Sequence, residues 1–245
     1  MRLFAELPGL VEESLREHAR VALVYFDAFG WRFFERHSGH PLFRDAAAER
    51  WTSQFPSTTA VHTTTLQTGL PVGEHGLYEW NLYEPRLDRL ITPLWFCFAG
   101  DRERDTLLAA GLEPADVFPF STLYERLEVP CHVVNPIEYA FSTPNTRLSA
   151  GATTYGYREP AEGFARLAGA LASEERGYGM IHLPALDGLM HYEGPGSPEV
   201  DGLIEATLSD LAAASWPEGT LLLLTADHGM AAVSPERTSY VNVVW

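Results

Sequence analysis

The chain has 245 residues, 46% of them hydrophobic and only 20% charged, which provides material for one full-sized core and excludes a disordered chain. A formal charge of −16 with no run of basic residues excludes wrapping of long nucleic acid, since binding along phosphates needs clustered cations. A small anionic substrate is compatible with that charge if bound cations reverse the field locally, so metal ligands matter more than net charge.

The first twenty residues, MRLFAELPGLVEESLREHAR, carry acids in their early turns and no long apolar run, and so predict an amphipathic helix rather than a signal peptide. No later segment is long enough to span a bilayer, and the expected location is cytoplasmic. Residues 21–29, VALVYFDAF, form a nearly continuous apolar run ending at Asp27 and Gly30, the pattern of a parallel strand buried on both faces. Similar runs are LWFCFAG (94–100), CHVVNP (131–136), GMIHLPALD (179–187) and TLLLLTADHG (220–229). Helical patterns lie between them in WRFFERH, in Thr59 to Gln67, in AEGFARLAGALASEE and in SPEVDGLIEATLSDLAAAS. This alternation predicts an α/β fold: a doubly wound, mainly parallel sheet flanked by helices, in one domain over residues 1–245. Pro85 to Tyr157 is less regular, and reads either as an excursion capping the active face or as long connections.

Ligands of open α/β sheets bind beyond the carboxyl ends of the strands, where Asp27, Asp187 and Asp227 all fall. Three carboxylates from distant segments could therefore gather at one edge. Asp187 and His191 stand four apart and would share a face if the backbone turns helically, although Gly188 leaves an irregular loop equally open. Asp227 and His228 sit on a Gly turn. Ser57, Thr58 and Thr59 follow a proline and open a helix, where free N–H groups favour an anion; they read either as a nucleophile or as a plain N-cap. Cys97 and Cys131 lie in apolar segments and read as buried thiols, not as a zinc knot or disulfide framework. His18, His37 and His40 read as surface residues, His132 as part of an apolar strand, His62 as helical packing or a substrate contact, His75 as a shaper of the turn after the helix, and His182 as structural or supporting the ligands. Phe29, Trp31, Tyr78, Trp80 and Tyr83 could stack on a base, though core is the favoured reading for most.

Four pieces in order, FDAFG, FPSTTAVHTTTLQTG followed by EHG, LDGLMHYEGP, and TADHGM, resemble the motifs of the nucleotide pyrophosphatase/phosphodiesterase family of the alkaline phosphatase superfamily. The resemblance runs from about residue 20 to 230. It implies an alkaline phosphatase-like sheet and two divalent ions, most often zinc with manganese as an alternative. By position, Asp27, Thr59, Asp227 and His228 would bind one ion and Asp187 with His191 the other. It also implies a Thr59 nucleophile, ten residues before Gly69 and sixteen before His75, and a phosphate-orienting Asn81 that stands one residue beyond the usual offset. The implied reaction is cleavage of phosphodiester or pyrophosphate bonds in small phosphate esters or nucleotides through a phosphothreonine. A phosphomonoesterase, a phosphonate hydrolase and a noncatalytic metal or phosphate-binding module are the alternatives. The family's second ion takes a further histidine from beyond the DHG motif, whereas only Gly229 to Trp245 follow here. The expectation is therefore a fragment or shortened chain missing its last strands, with SYVNVVW starting another strand. The sequence does not define an oligomeric state.

Overall fold

The computed structural model describes residues 2–239, so most of the SYVNVVW strand expected at the end lies outside the described residues. Helix α1 (Leu7–Glu17) leads into strand β1 (Arg20–Phe26), followed by α2 (Trp31–His37), α3 (Thr59–Thr68) and the single turn α4 (Val72–His75). Three short strands come next: β2 (Leu82–Glu84), β3 (Arg89–Thr92) and β4 (Cys97–Phe98), then the single turns α5 (Thr106–Ala109) and α6 (Pro114–Val117). The rest alternates as β5 (Cys131–Pro136), α7 (Thr143–Leu148), β6 (Thr153–Tyr157), α8 (Pro160–Ala172), β7 (Gly177–Leu183), α9 (Ala185–Glu193), α10 (Pro198–Ala213) and β8 (Thr220–Thr225).

Five of these strands build the expected parallel sheet in the order β6-β5-β7-β1-β8. Its two faces follow from the period of two along β1. Ala22, Val24 and Phe26 join Phe164, Leu167 and Leu171 of α8 and Ile204 and Leu208 of α10, whereas Val21, Leu23 and Tyr25 join Leu7, Val11 and Leu15 of α1 and Leu66 of α3. β1 reads as an unbroken apolar run because helices cover it on both sides. Burying each such side chain contributes about 1.5–3 kcal/mol. Among the described residues, no helix is long and apolar enough to cross a membrane.

One reading of the middle segment needs correction. LWFCFAG is not a strand of the parallel sheet: Pro93 starts a 3-10 turn through Trp95, Phe96 adopts a left-handed φ of 53°, and only Cys97–Phe98 is extended, antiparallel to β3. A proline lacks the N–H that a central strand must donate, and an apolar run this short carries no period of its own. The irregular segment at about 85–157, open between an excursion and long connections, contributes to two sheets. β2, β3 and β4 form a separate small sheet over a third apolar cluster of Leu77, Ile91, Phe96, Leu107 and Phe118, while β5 and β6 belong to the main sheet. His37 is buried rather than exposed, its ring held between Glu205 Oε1 at 2.6 Å and Asp201 Oδ1 at 3.0 Å where α2 meets α10. Cys97 and Cys131 are buried and free, as expected.

One close approach fixes how the ends of β1 and β8 meet. A Cβ on Gly30 would lie 2.7 Å from the Gly229 Cα and 2.9 Å from the His228 carbonyl oxygen, both backbone atoms that cannot swing aside. Gly30→Ala should therefore destabilise the fold by about 1–3 kcal/mol through overpacking. Gly39→Ala, whose Cβ would meet nothing within 4 Å, serves as the control, and denaturant unfolding of the two variants compares them.

Candidate active site

β7, β1 and β8 are adjacent and parallel, so the loops leaving their carboxyl ends open on one edge. Asp27 directly follows β1 and its N–H donates to the Leu183 carbonyl at the end of β7. Asp227 comes two residues after β8, buried, with Oδ2 accepting from the Tyr25 hydroxyl at 2.7 Å and Oδ1 from the N–H groups of Ala28 (3.1 Å) and His228 (2.9 Å). Three hydrogen bonds thus set both the carboxylate and the turn that carries His228. Asp187 lies in the first turn of α9, and the helical reading of this segment holds: His191 falls one turn later, with Nε2 at 3.4 Å from Asp187 Oδ2. Thr59 is the first residue of α3.

These four segments converge. Donor atoms of Asp27, Asp187 and His228 all lie within 4.8 Å of one another. Thr59 Oγ1 stands 3.5 Å from Asp27 Oδ1 and 3.3 Å from His228 Nε2. His228 Nε2 is 3.6 Å from Asp27 Oδ1 and 3.3 Å from Asp227 Oδ2. Such separations are long for good hydrogen bonds. They suit a shared cation, because a tetrahedral ion with ligand bonds of about 2.0–2.1 Å spaces its ligand atoms by about 3.3–3.4 Å. The Asp187–His191 spacing of 3.4 Å has the same character. His191 is the most open of the set, its side chain 65% exposed.

Electrostatics points the same way. Burial, and after it the charges of Asp227 and Asp187, pushes the Asp27 carboxyl well above the usual carboxylate range. Among the described residues no arginine pairs with Asp27, Asp187 or Asp227; their ionic contacts are with histidines alone. Negative charge collected without a fixed countercharge is a site for a divalent ion, and carboxylate oxygen with imidazole nitrogen suits zinc and its relatives.

Thr59 opens α3 without a competing cap. Thr58 occupies the N-cap position in extended backbone geometry, yet its side chain makes no capping hydrogen bond. The first-turn N–H groups, which have no partner inside the helix, are left for an anion beside the Thr59 hydroxyl. A cavity of about 200 Å³ adjoins them, lined among others by Asp27, Thr59, Trp80, Trp95, Arg104 and Asp187. Arg104 lies over the Trp95 ring at 4.9 Å.

Residues 21–244 match the family described as type I phosphodiesterase / nucleotide pyrophosphatase. The chain belongs to this family. Among solved structures it is similar to murine ectonucleotide pyrophosphatase/phosphodiesterase 5, seen both alone and as an inactive threonine-to-alanine variant in complex with AMP. The TM-score is 0.67 at 17% identity over 91% of this chain. Human ectonucleotide pyrophosphatase/phosphodiesterase 5 is similar at a TM-score of 0.66 and 20% identity over 89% of this chain. At such identity the likeness speaks for the shared alkaline phosphatase-like fold. The chain spans 60% of the length of the murine structures and 59% of the human one. Curated proteins yield no match to it.

For this member of the phosphodiesterase family, the motifs found in the sequence supply Asp27, Thr59, Asp187, His191, Asp227 and His228, and the fold brings them to one edge. Asn81 is exposed in the bend just before β2; its Oδ1 accepts from Thr92 at 2.6 Å, which leaves the amide nitrogen as the group it can offer. The aromatic reading needs correction: Phe29 is core, but Tyr78, Trp80 and Tyr83 are 51, 40 and 53% exposed, because the small sheet has too little depth to bury them. Sequence reasoning missed Tyr25 and Tyr139 and gave His182 only a supporting role. His75 behaves as read, its Nδ1 accepting from the Leu77 N–H, and His62 is structural, accepting from the Gln54 N–H at 3.0 Å.

The raised Asp27 carboxyl gives a signed expectation. Without metal, the folded chain holds that proton more tightly than the unfolded chain. Stability therefore falls as pH rises from the ordinary carboxylate range through the raised value, and the ionised form opposes folding at neutral pH. Asp27→Asn should raise the thermal midpoint of the metal-free protein at pH 7 while weakening its hold on zinc. Thermal unfolding with and without chelator, alongside metal content, measures both, and an unchanged midpoint with unchanged metal content would remove Asp27 from the cluster.

Proposed function

We propose that the chain is a metal-dependent hydrolase of phosphodiester or pyrophosphate bonds, acting on small phosphate esters or nucleotides, with Thr59 as the nucleophile. The observation that carries this reading is the position of Thr59 Oγ1, on an uncapped helix N-terminus and 3.3–3.5 Å from His228 Nε2 and Asp27 Oδ1. Two divalent ions, zinc or manganese, held by Asp27, Thr59, Asp227 and His228 and by Asp187 with His191, would supply the positive charge that acidifies the hydroxyl and offsets charge on phosphorus.

The chain's own groups do the rest. Thr59 Oγ gives up its proton to solvent and bonds to phosphorus as the bond to the leaving oxygen breaks on the opposite side, giving a phosphothreonine. Water then attacks that phosphorus and releases Thr59. Through both steps the first-turn N–H groups of α3 and the Asn81 amide nitrogen hold the non-bridging oxygens, whose charge is greatest in the transition state. The cavity walls formed by Trp80 and Trp95 receive the organic part of the ester.

Thr59→Ala should lower hydrolysis of bis(p-nitrophenyl) phosphate by ~10³-fold or more with zinc or manganese present, leaving the circular dichroism spectrum intact. Undiminished turnover would eliminate Thr59 as nucleophile. Asp227→Asn should lose metal, and unchanged metal content would argue against its ligand role. A panel of diesters, nucleotides, monoesters and phosphonates separates a phosphodiesterase from a phosphomonoesterase or phosphonate hydrolase. Metal retention without turnover of any of them would indicate a binding module.

A further inference from the structure

His182 and Tyr139 line the same cavity as Asp27, Thr59 and Asp187 but belong to neither ligand set proposed above. His182 lies near the end of β7, opposite Tyr25 in the β1–β7 register, and its ring stacks on the Tyr25 ring with centroids 4.4 Å apart and planes 15° apart. Its Nε2 is 3.0 Å from Asp27 Oδ2, and its Nδ1 is 2.9 Å from the Tyr139 hydroxyl. Its own carbonyl accepts from the Tyr157 hydroxyl at 2.7 Å, so backbone, ring face and both ring nitrogens are all constrained.

Hydrogen-bond chemistry allows the chain one polarity while Asp27 is ionised. A carboxylate only accepts, so the proton must sit on His182 Nε2. A neutral ring then has a bare Nδ1, which can only accept, and Tyr139 is its donor. The order is Tyr139 O–H to His182 Nδ1, and His182 Nε2–H to Asp27 Oδ2. The other oxygen, Asp27 Oδ1, is the one that faces Thr59 Oγ1 at 3.5 Å and His228 Nε2 at 3.6 Å.

We propose that His182 and Tyr139 are positioning residues: by tethering Oδ2 of Asp27 they set the rotation of that carboxylate, so that Oδ1 is presented to the cation and the Thr59 hydroxyl. This rests on the metal-dependent reading above. Tyr25 also holds Asp227, but through Oδ2, the oxygen that itself faces His228 Nε2 at 3.3 Å, and the Tyr25–His182 stack ties the two supports into one unit. Outer hydrogen bonds of this kind orient metal ligands, and their removal typically costs 10–100-fold in metal affinity.

The test uses the whole chain and reads zinc affinity by chelator competition, with turnover of bis(p-nitrophenyl) phosphate measured alongside. His182→Phe keeps an aromatic ring against Tyr25 and removes both nitrogens; it should weaken zinc binding by about 10–100-fold. His182→Gln restores a single donor toward Asp27 and should recover most of that loss. Tyr139→Phe removes one hydroxyl and should weaken zinc binding about 3–10-fold in the wild-type background but hardly at all beside His182→Phe, since its effect runs through the imidazole. In each variant kcat should fall more than KM changes. Zinc affinity within two-fold of wild type for both His182→Phe and Tyr139→Phe overturns the proposal. So does a Tyr139→Phe loss of the same size in both backgrounds, which would mark a merely structural hydroxyl. If His182→Phe does not fold, the Tyr139→Phe measurement decides alone. Absence of zinc binding and turnover in the wild type would instead sink the underlying metal-dependent reading.

Discussion

Three carboxylates at one edge of a parallel sheet repel one another, and in this protein no arginine among the described residues pairs with any of them. Asp27 and Asp227 are both buried, so water does little to screen that repulsion, and burial first, with the charges of Asp227 and Asp187 after it, raises the Asp27 carboxyl. The local structure follows from holding this arrangement in place. Asp227 accepts from Tyr25 and two backbone N–H groups, Asp27 leans on His182, and the backbone that carries His228 lies tight against Gly30. A conformation so unfavourable for bare anions makes physical sense as a preorganised cation site, where the cost is met during folding and not at each turnover.

The sheet makes this convergence possible. Parallel neighbours β7, β1 and β8 end at the same level, so residues some 40 to 200 positions apart in sequence become adjacent without any long excursion of the backbone. α3 arrives from the face carrying Tyr25, and its uncapped first turn brings partial positive charge to a place otherwise dominated by acids. Acidic ligands for a cation and amide donors for an anion therefore stand side by side, the pairing that phosphoryl transfer to a hydroxyl needs. Trp80 and Trp95, just before β2 and β4, approach edge to face at 6.3 Å and line the pocket.

Much of this was legible from the sequence because the signals are local. An apolar run ending in Asp marks a buried strand with a polar C-terminal end, as at FDAFG and TADHG, and Asp187 and His191 four apart mark one helical face. β1, β5, β7, β8 and the main helices followed from such patterns, as did the doubly wound class. The six candidate ligand and nucleophile positions came from motifs whose residues sit at fixed short offsets.

What the tertiary structure alone decided is non-local. β6 gives a weak sequence pattern because an edge strand, half exposed, needs no continuous apolar run, and LWFCFAG misleads because a proline and a left-handed phenylalanine bend an apolar stretch that composition alone reads as straight. His37 was read as surface until α10 supplied two carboxylates, and Trp80 as core until the thin small sheet left it at the pocket wall. The supports of Asp27 come from the middle of the chain and from the strand opposite; no spacing rule connects Tyr139, His182 and Tyr25, since their contact is set by strand register and helix placement. Sequence determined which side chains are the candidates for chemistry, because each motif encodes its own turn. Folding determined how those side chains are aimed, because orientation depends on partners that only packing brings within reach.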